Sequence, residues 1–278
     1  MASSIVLLDD GFQHADASGW PTTPTVGAAS GWTDREGSVA SIASDLGVMT
    51  PSQSGSYYLD ALIRSEQCAD QIIIAYYNPF TNITTSVATY PCLATRINGS
   101  NQFYLYQIDL GGWDIQVFSG TLGSPSVTKI GSSLVLPGSP STSHYYAFGA
   151  AAIGPNLFAW VWDNGTTPWP QTAGLPLLAN ILPSWASLPP SFAPTFFPLG
   201  MFAAQDTAVA GTSSSKAGLI VNGNSALNTV NVRRVVVCNA SGTPTAPVSV
   251  SLAMASGIDT ITYGAPTAGS GTIGGMAL

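Results

Sequence analysis

Two histidines and two glutamates, His14, His144, Glu36 and Glu66, are the only residues of those two types that this 278-residue chain offers acid–base chemistry. Each histidine has an aspartate that could orient it within a nucleophilic triad, Asp16 for His14 and Asp163 for His144. The alternative is a structural role, above all for His144 beside Tyr145-Tyr146. No Gly-x-Ser-x-Gly elbow supplies a nucleophile, and no phosphate loop or dinucleotide fingerprint occurs. Asp109 and Asp114 flank a Gly-Gly turn. They could act as a carboxylate pair, or simply cap the turn through their side-chain oxygens. Cys68, Cys92 and Cys238 are odd in number and far apart, with no Cys-x-x-Cys pair. The expectation is therefore three buried thiols and no zinc site.

The scarcity extends to charge as a whole. Only 8% of the residues are charged, against about a quarter in an ordinary soluble domain. The net charge is −7, the pI ≈ 4.4, and no basic stripe exists for a nucleic-acid partner. Arg233-Arg234 sits inside Val-Asn-Val-Arg-Arg-Val-Val-Val and reads as part of a strand. No apolar run approaches the roughly eighteen residues of a membrane span. The N-terminus lacks the positively charged region of a secretory signal, so folding in a cytoplasm is expected. A surface with so few charges suits burial against other subunits, which points to assembly or binding ahead of catalysis.

The elements that must position these residues read as strands. Short Ile/Val/Tyr/Phe runs alternate with Gly/Ser/Pro/Asn clusters, the pattern of a sandwich or barrel. Expected strands include Tyr57–Ile63, Gln71–Tyr77, Tyr90–Arg96, Phe103–Asp109, Asp114–Ser119, Val127–Leu136, Tyr145–Ala152, Leu157–Asp163, Leu199–Ala204 and Val230–Asn239. In Phe103–Asp109 both alternating faces are largely apolar, which predicts a central strand covered on both sides. Asp109-Leu-Gly-Gly-Trp-Asp114 then predicts a hairpin. Phe158, Trp160 and Trp162 form an aromatic ladder, either a core stripe or a ligand platform. The Pro-rich segment 165–198 breaks the pattern, with Leu175–Leu182 able to form a short helix. A connection of that length usually has a function.

The order of motifs resembles the laminin-G-like, concanavalin A-type jelly rolls. Leu8-Asp-Asp-Gly-Phe-Gln-His-Ala-Asp-Ala-Ser-Gly-Trp20 is similar to that family's opening, and residues 101–118 to its central hairpin. Phe158–Thr166, Pro198-Leu-Gly-Met-Phe-Ala and Val230–Val237 resemble its later hairpin, turn and closing strand. Gly11, the Pro-rich insertion and the tail depart from the pattern. The resemblance implies an all-β, antiparallel jelly-roll sandwich over residues 1–240, with the insertion at 165–198 and an extended C-terminal arm at 241–278. Glucanases of this fold carry a Glu-x-Asp-x-x-Glu strand that neither Glu36 nor Glu66 matches, so no enzyme is expected. No cofactor is required, although the fold often carries calcium; Asp109, Asp114, Asp163 and Asn164 are the loop residues that could hold it.

Such jelly rolls serve as lectins and as phage virion components. Few charges, an apolar insertion and an apolar tail point first to a non-enzymatic virion structural protein of a bacteriophage or similar virus. It would be a decoration, fibre or tail component, assembled in the host cytoplasm with other virion subunits as a homo-oligomer. The alternative is a carbohydrate-binding lectin module for cell-surface glycans. Exposed aromatics near loops, Trp32, Trp113 and Tyr263, are its candidate sugar contacts. In the insertion, Trp169, Leu177, Leu178, Ile181, Trp185, Phe196 and Phe197 form either a partner contact or a lid over the protein's own core. The tail's alternating segments, Val248–Ala253 and Asp259–Tyr263, suit strand addition to a sheet edge.

Overall fold

The computed structural model describes residues 6–35, 40–51, 58–80, 89–123, 126–171, 198–223, 229–240, 248–254 and 257–263. The strands are β1 (Val6–Asp10), β2 (Ala17–Ser18), β3 (Trp32–Asp34), β4 (Ala40–Ala43), β5 (Leu46–Met49), β6 (Tyr58–Gln67) and β7 (Gln71–Tyr77). Next come β8 (Thr89–Ile97), β9 (Gln102–Asp109), β10 (Asp114–Thr121), β11 (Val127–Lys129), β12 (Leu134–Val135) and β13 (Tyr146–Ile153). The chain continues through β14 (Asn156–Asp163), β15 (Gly200–Gln205), β16 (Lys216–Gly223) and β17 (Val230–Asn239), then β18 (Val248–Met254) and β19 (Gly257–Tyr263). No helix occurs among the described residues. The Leu175–Leu182 segment lies outside them.

The chain divides into two units, Met1–Thr172 with Pro198–Ser241, and Ala173–Phe197 with Gly242–Leu278. The first is a two-sheet antiparallel sandwich. One sheet runs β15-β14-β13-β7-β17-β5-β4-β2, with β1 also on β17; the other runs β11-β10-β9-β8-β16-β6-β3, with β12 on β10. This is the jelly-roll architecture that the motif order implied. Within the second unit the described part is a hairpin, with β18 and β19 antiparallel from Val248↔Tyr263 to Met254↔Gly257.

Period-2 alternation builds the core. Ile73, Ala75 and Tyr77 of β7, with Phe148 and Ala150 of β13, meet Tyr104, Tyr106 and Ile108 of β9 and Leu219 and Val221 of β16 between the sheets. On the opposite face of the second sheet, Phe103, Leu105, Ile63, Cys92, Ile97 and Ile220 form a separate buried cluster. β9 is thus central and covered on both faces, as its sequence indicates. The expected strand Val127–Leu136 is instead two short strands, β11 and β12, separated around Gly131, whose φ of 65° turns the chain. Trp160 and Trp162 of the aromatic ladder are buried and Phe158 partly so, but Leu157, Ala159 and Val161 are the β14 residues that enter the inter-sheet core. Phe158, Trp160 and Trp162 stack at 5.9 and 6.3 Å on the other face.

Buried cations tie loops to the sandwich. Arg234 makes a two-pronged pair with Asp9, 2.7 Å on each prong. Arg96 reaches Asp70 at 3.2 Å and the Val209 carbonyl at 3.3 Å. Arg64 donates to Glu66 at 2.7 Å from Nε. These three guanidinium groups are committed to structure.

Candidate binding cleft

The edge strand β3 separates two clefts. Alternation along Trp32-Thr33-Asp34-Arg35 sends Thr33 and Arg35 into a cleft of ≈ 460 Å³. Trp32 and Asp34 line a smaller one of ≈ 270 Å³.

The larger cleft is assembled by register. Lys216 at the start of β16 pairs with Gln67 of β6 on one side and Ile97 of β8 on the other. Three residues far apart in sequence therefore form one row across the sheet. Both pairings shift register between Lys216 and Gly218, and such a bulge re-aims the side chain beside it. A side chain at Gly218 would press its Cβ within 2.6 Å of the Leu62 carbonyl oxygen, so the irregularity requires glycine. Ile63 and Ile97 are buried beneath the cleft.

The rim is a preformed turn. Asn98 Oδ1 accepts the backbone N–H groups of Ser100 and Gln102, each at 3.0 Å. Asn101 holds the left-handed conformation at φ 63°, where asparagine is tolerated. Its side-chain oxygen accepts a bond from Arg35 Nη1. That bond uses one of the five guanidinium N–H donors. Among the described residues, neither Arg35 nor Lys216 forms an ion pair. The lining is thus a guanidinium, an ammonium, amides from Gln67, Asn98 and Asn101, and hydroxyls from Thr33 and Ser214. It holds no carboxylate among the described residues; Glu36 lies outside them. Such a surface can donate hydrogen bonds to an oxygen-rich ligand.

The smaller cleft differs. Trp32 is half-buried, and its indole N–H donates to the fully buried Asp10 at 3.3 Å. Trp20 meets it edge-on at 4.9 Å, Phe12 stacks at 6.3 Å, and the Arg64 guanidinium lies 5.0 Å from its ring centroid. Asp10 also accepts the Phe12 N–H at 3.0 Å. The ring expected to stack on a sugar is engaged by its own neighbours, and the opening motif acts as a packing device.

Other expected site residues are placed as follows. Trp113 is a correction: it is 5% exposed, its indole N–H donates to the Pro137 carbonyl at 2.9 Å, and its ring packs edge-on against Tyr146. At φ 48° the residue closes the β9–β10 turn and sends its ring inward. Tyr263 lies in β19, with its side chain outside the description. Asp109 pairs with Asp114 across the hairpin. Asp109 Oδ1 accepts the Gly111 and Gly112 N–H groups, and Gln116 donates to both carboxylates. Asp163 belongs to a different network, accepting from Gly165 N–H at 2.7 Å and facing His144 Nδ1 at 2.8 Å; Asn164 donates to the Thr167 carbonyl. The four candidate calcium ligands are therefore split between two turns and already bonded. No group of three or more His, Cys, Asp or Glu side chains suited to a metal occurs among the described residues.

The His144–Asp163 pair matches expectation, whereas His14 faces Asp10 at 3.3 Å and Asp16 accepts the Ser44 N–H instead. Ser141 and Ser143 share a hydroxyl contact at 3.0 Å, and no serine hydroxyl bonds to either imidazole among the described residues. Trp169 follows the second of its two expected roles. It is 2% exposed, packs on Tyr76 at 5.6 Å and donates to the Tyr145 carbonyl, so it covers its own sheet. Leu177, Leu178, Ile181, Trp185, Phe196 and Phe197 lie outside the described residues.

No protein-family model matches the sequence, and no curated protein matches it. Solved structures are similar in fold. The exoplasmic/lumenal domain of VIP36 in its Ca2+/Man2-bound form is 10% identical over 85% of this chain and 88% of its own, with a TM-score of 0.49. The β-glucanase of Bacillus licheniformis is 11% identical over 85% of this chain and 99% of its own, TM-score 0.45. A xylan β-1,4-xylosidase from Bacillus halodurans C-125 is 8% identical over 83% of this chain, TM-score 0.47, and the present chain spans 39% of its length. At these identities the likeness is one of fold and carries no site across. The two-sheet sandwich defines the class as an all-β, antiparallel jelly roll.

Proposed function

We propose that this protein is a non-catalytic carbohydrate-binding module that takes its ligand in the cleft between β3, β6, β8 and β16. The observation that carries the reading is the lining itself: guanidinium, ammonium, amide and hydroxyl groups over an apolar floor of Ile63 and Ile97. Sugars present hydroxyl oxygens around a C–H face, and sites for them combine a few placed polar groups with apolar surface. Retaining glycosidases need two carboxylates about 5 Å apart, a requirement that this lining does not serve. Retention on an array of defined oligosaccharides tests the proposal; no retention of any member would overturn it.

A second reading is assembly within a virus particle, as a decoration, fibre or tail subunit. It is supported by the charge content of 8% and by the apolar residues of the insertion and the tail. Native mass tests it: a stable homo-oligomer supports subunit assembly, and a monomer at micromolar concentration counts against it. The two readings are compatible if a virion subunit also grips host glycans.

A further inference from the structure

Resting on the carbohydrate-binding reading, we infer that the cleft selects acidic saccharides, with Arg35 and Lys216 receiving a carboxylate or sulfate carried by the sugar. The chain has seven basic residues against fourteen acidic ones, so two cations in one cleft run against its composition. The other five are otherwise occupied. Arg64, Arg96 and Arg234 are paired with Glu66, Asp70 and Asp9. Arg233 donates to the Trp169 carbonyl and to Asn78, and Lys129 to the Ser133 hydroxyl.

Two neighbouring carboxylates among the described residues are turned away by strand alternation. Asp34, between Thr33 and Arg35, lines the smaller cleft. Glu66, preceding Gln67, is bound to Arg64 and to the Ala28 N–H. Positive charge in the cleft is thus offset by neither of these groups. Two cations lining one concave site concentrate the local field and favour an anion there. A guanidinium held on one side by Asn101 keeps N–H donors for a planar carboxylate or a sulfate. The Gln67 amide remains for the sugar's hydroxyl groups, while the Asn98 amide is bonded within its own turn and the Ser214 hydroxyl shares a bond with Thr212. A free inorganic anion would use the two cations but leave the Gln67 amide and the apolar floor without a role, which favours the anion as part of a saccharide.

The test is binding of the full chain to defined neutral, N-acetylated, uronic-acid, sialylated and sulfated oligosaccharides, followed by titration of the best ligand. Acidic members are retained over their neutral counterparts. Arg35→Gln and Lys216→Gln each weaken that binding by about tenfold or more, the scale of one lost charge-assisted hydrogen bond. Lys129→Gln, which removes an exposed lysine that does not line the cleft, leaves it unchanged. Raising salt from about 50 mM to about 500 mM weakens binding severalfold, because screening shortens the reach of the cations. Equal retention of neutral and acidic sugars, or full binding by both cleft variants, would overturn the acidic selectivity while leaving carbohydrate binding in place. Displacement by sodium phosphate or sulfate at the saccharide's own affinity would assign the site to a free anion and overturn the inference. Absence of binding to every sugar would overturn both this inference and the reading on which it rests.

Discussion

The two clefts beside β3 are built from one strand and differ in what their side chains still have to give. In the smaller, Trp32 is engaged by Asp10, Trp20, Phe12 and Arg64. In the larger, Arg35 has one side-chain partner, Asn101, and Lys216 has no ion pair among the described residues. Aromatic rings near loops suggest sugar contacts, yet here such rings serve packing. The groups available to a ligand are polar ones that the register brings together. Side-chain type alone does not mark a binding site; the remaining valence of each group does.

The sharpest way to break this contrast is to remove a ring counted as structural. Trp113→Ala should cost about 3–5 kcal/mol, as for other buried aromatic truncations, read as a lower denaturation midpoint. Sugar retention should persist in the folded fraction. A variant that keeps its stability but loses sugar binding would return Trp113 to the binding surface.

Acid should loosen the smaller cleft first. Burial raises the Glu66 carboxyl, but hydrogen bonds from Arg64 and the Ala28 N–H outweigh it and hold the group below 4.5. A carboxyl lowered in the folded state stabilises the fold above its unfolded pKa, and that contribution fades as pH falls through the folded value. Melting followed from neutral to acidic pH should therefore decline less steeply in Glu66→Gln than in the parent chain. Identical profiles would show that the Arg64–Glu66 tie contributes nothing to the shell around Trp32.

The three thiols report on the packing beside and behind the larger cleft. Burial, with Asp70 adding to it, pushes the Cys68 thiol up to about 12, and burial raises Cys92 and Cys238 further. A thiol raised in the folded state favours folding below its unfolded pKa of about 8.5 and loses that contribution as pH climbs above it. At mildly alkaline pH the folded protein should be inert to a thiol-specific chromogenic reagent, and all three cysteines should react once it is unfolded. Rapid labelling of Cys68, which directly follows Gln67, would mean that the cleft wall opens locally.

Much of the sandwich is legible in the sequence because its alternation is strong. β7, β9, β10, β13, β14 and β17 fall where Ile, Val, Tyr and Phe recur with period two, and the Asp109–Asp114 hairpin carries its own glycine signal. β16 is the informative miss. Gly218-Leu-Ile-Val221 is an apolar run bounded by Ser213-Ser-Ser215 and Asn222-Gly, but it is short and begins on a bulge. Without β16, Lys216 has no neighbours, and the row Gln67–Lys216–Ile97 cannot be assembled. That pairing is non-local, fixed by which strands meet rather than by any run of residues. The inward turn of Trp113 was hidden for a related reason, since a ring beside a Gly-Gly turn can point either way until its indole N–H finds the Pro137 carbonyl.

The smallest expected effect concerns stability. Arg35→Gln and Lys216→Gln, at positions without ion pairs among the described residues, should change unfolding free energy by no more than about 0.5 kcal/mol. A larger loss in chemical denaturation would make those side chains part of the scaffold and erase the difference between the clefts.

The most direct measurement is a two-dimensional amide NMR titration of the protein with an acidic oligosaccharide retained on the array. The account predicts saturable shifts centred on the amides of Gln67, Gly99, Asn101 and Lys216, with those of Ser18, Gly19 and Ser30 at the smaller cleft unmoved. Shifts centred instead on the smaller cleft, or none at saturating sugar, would contradict it.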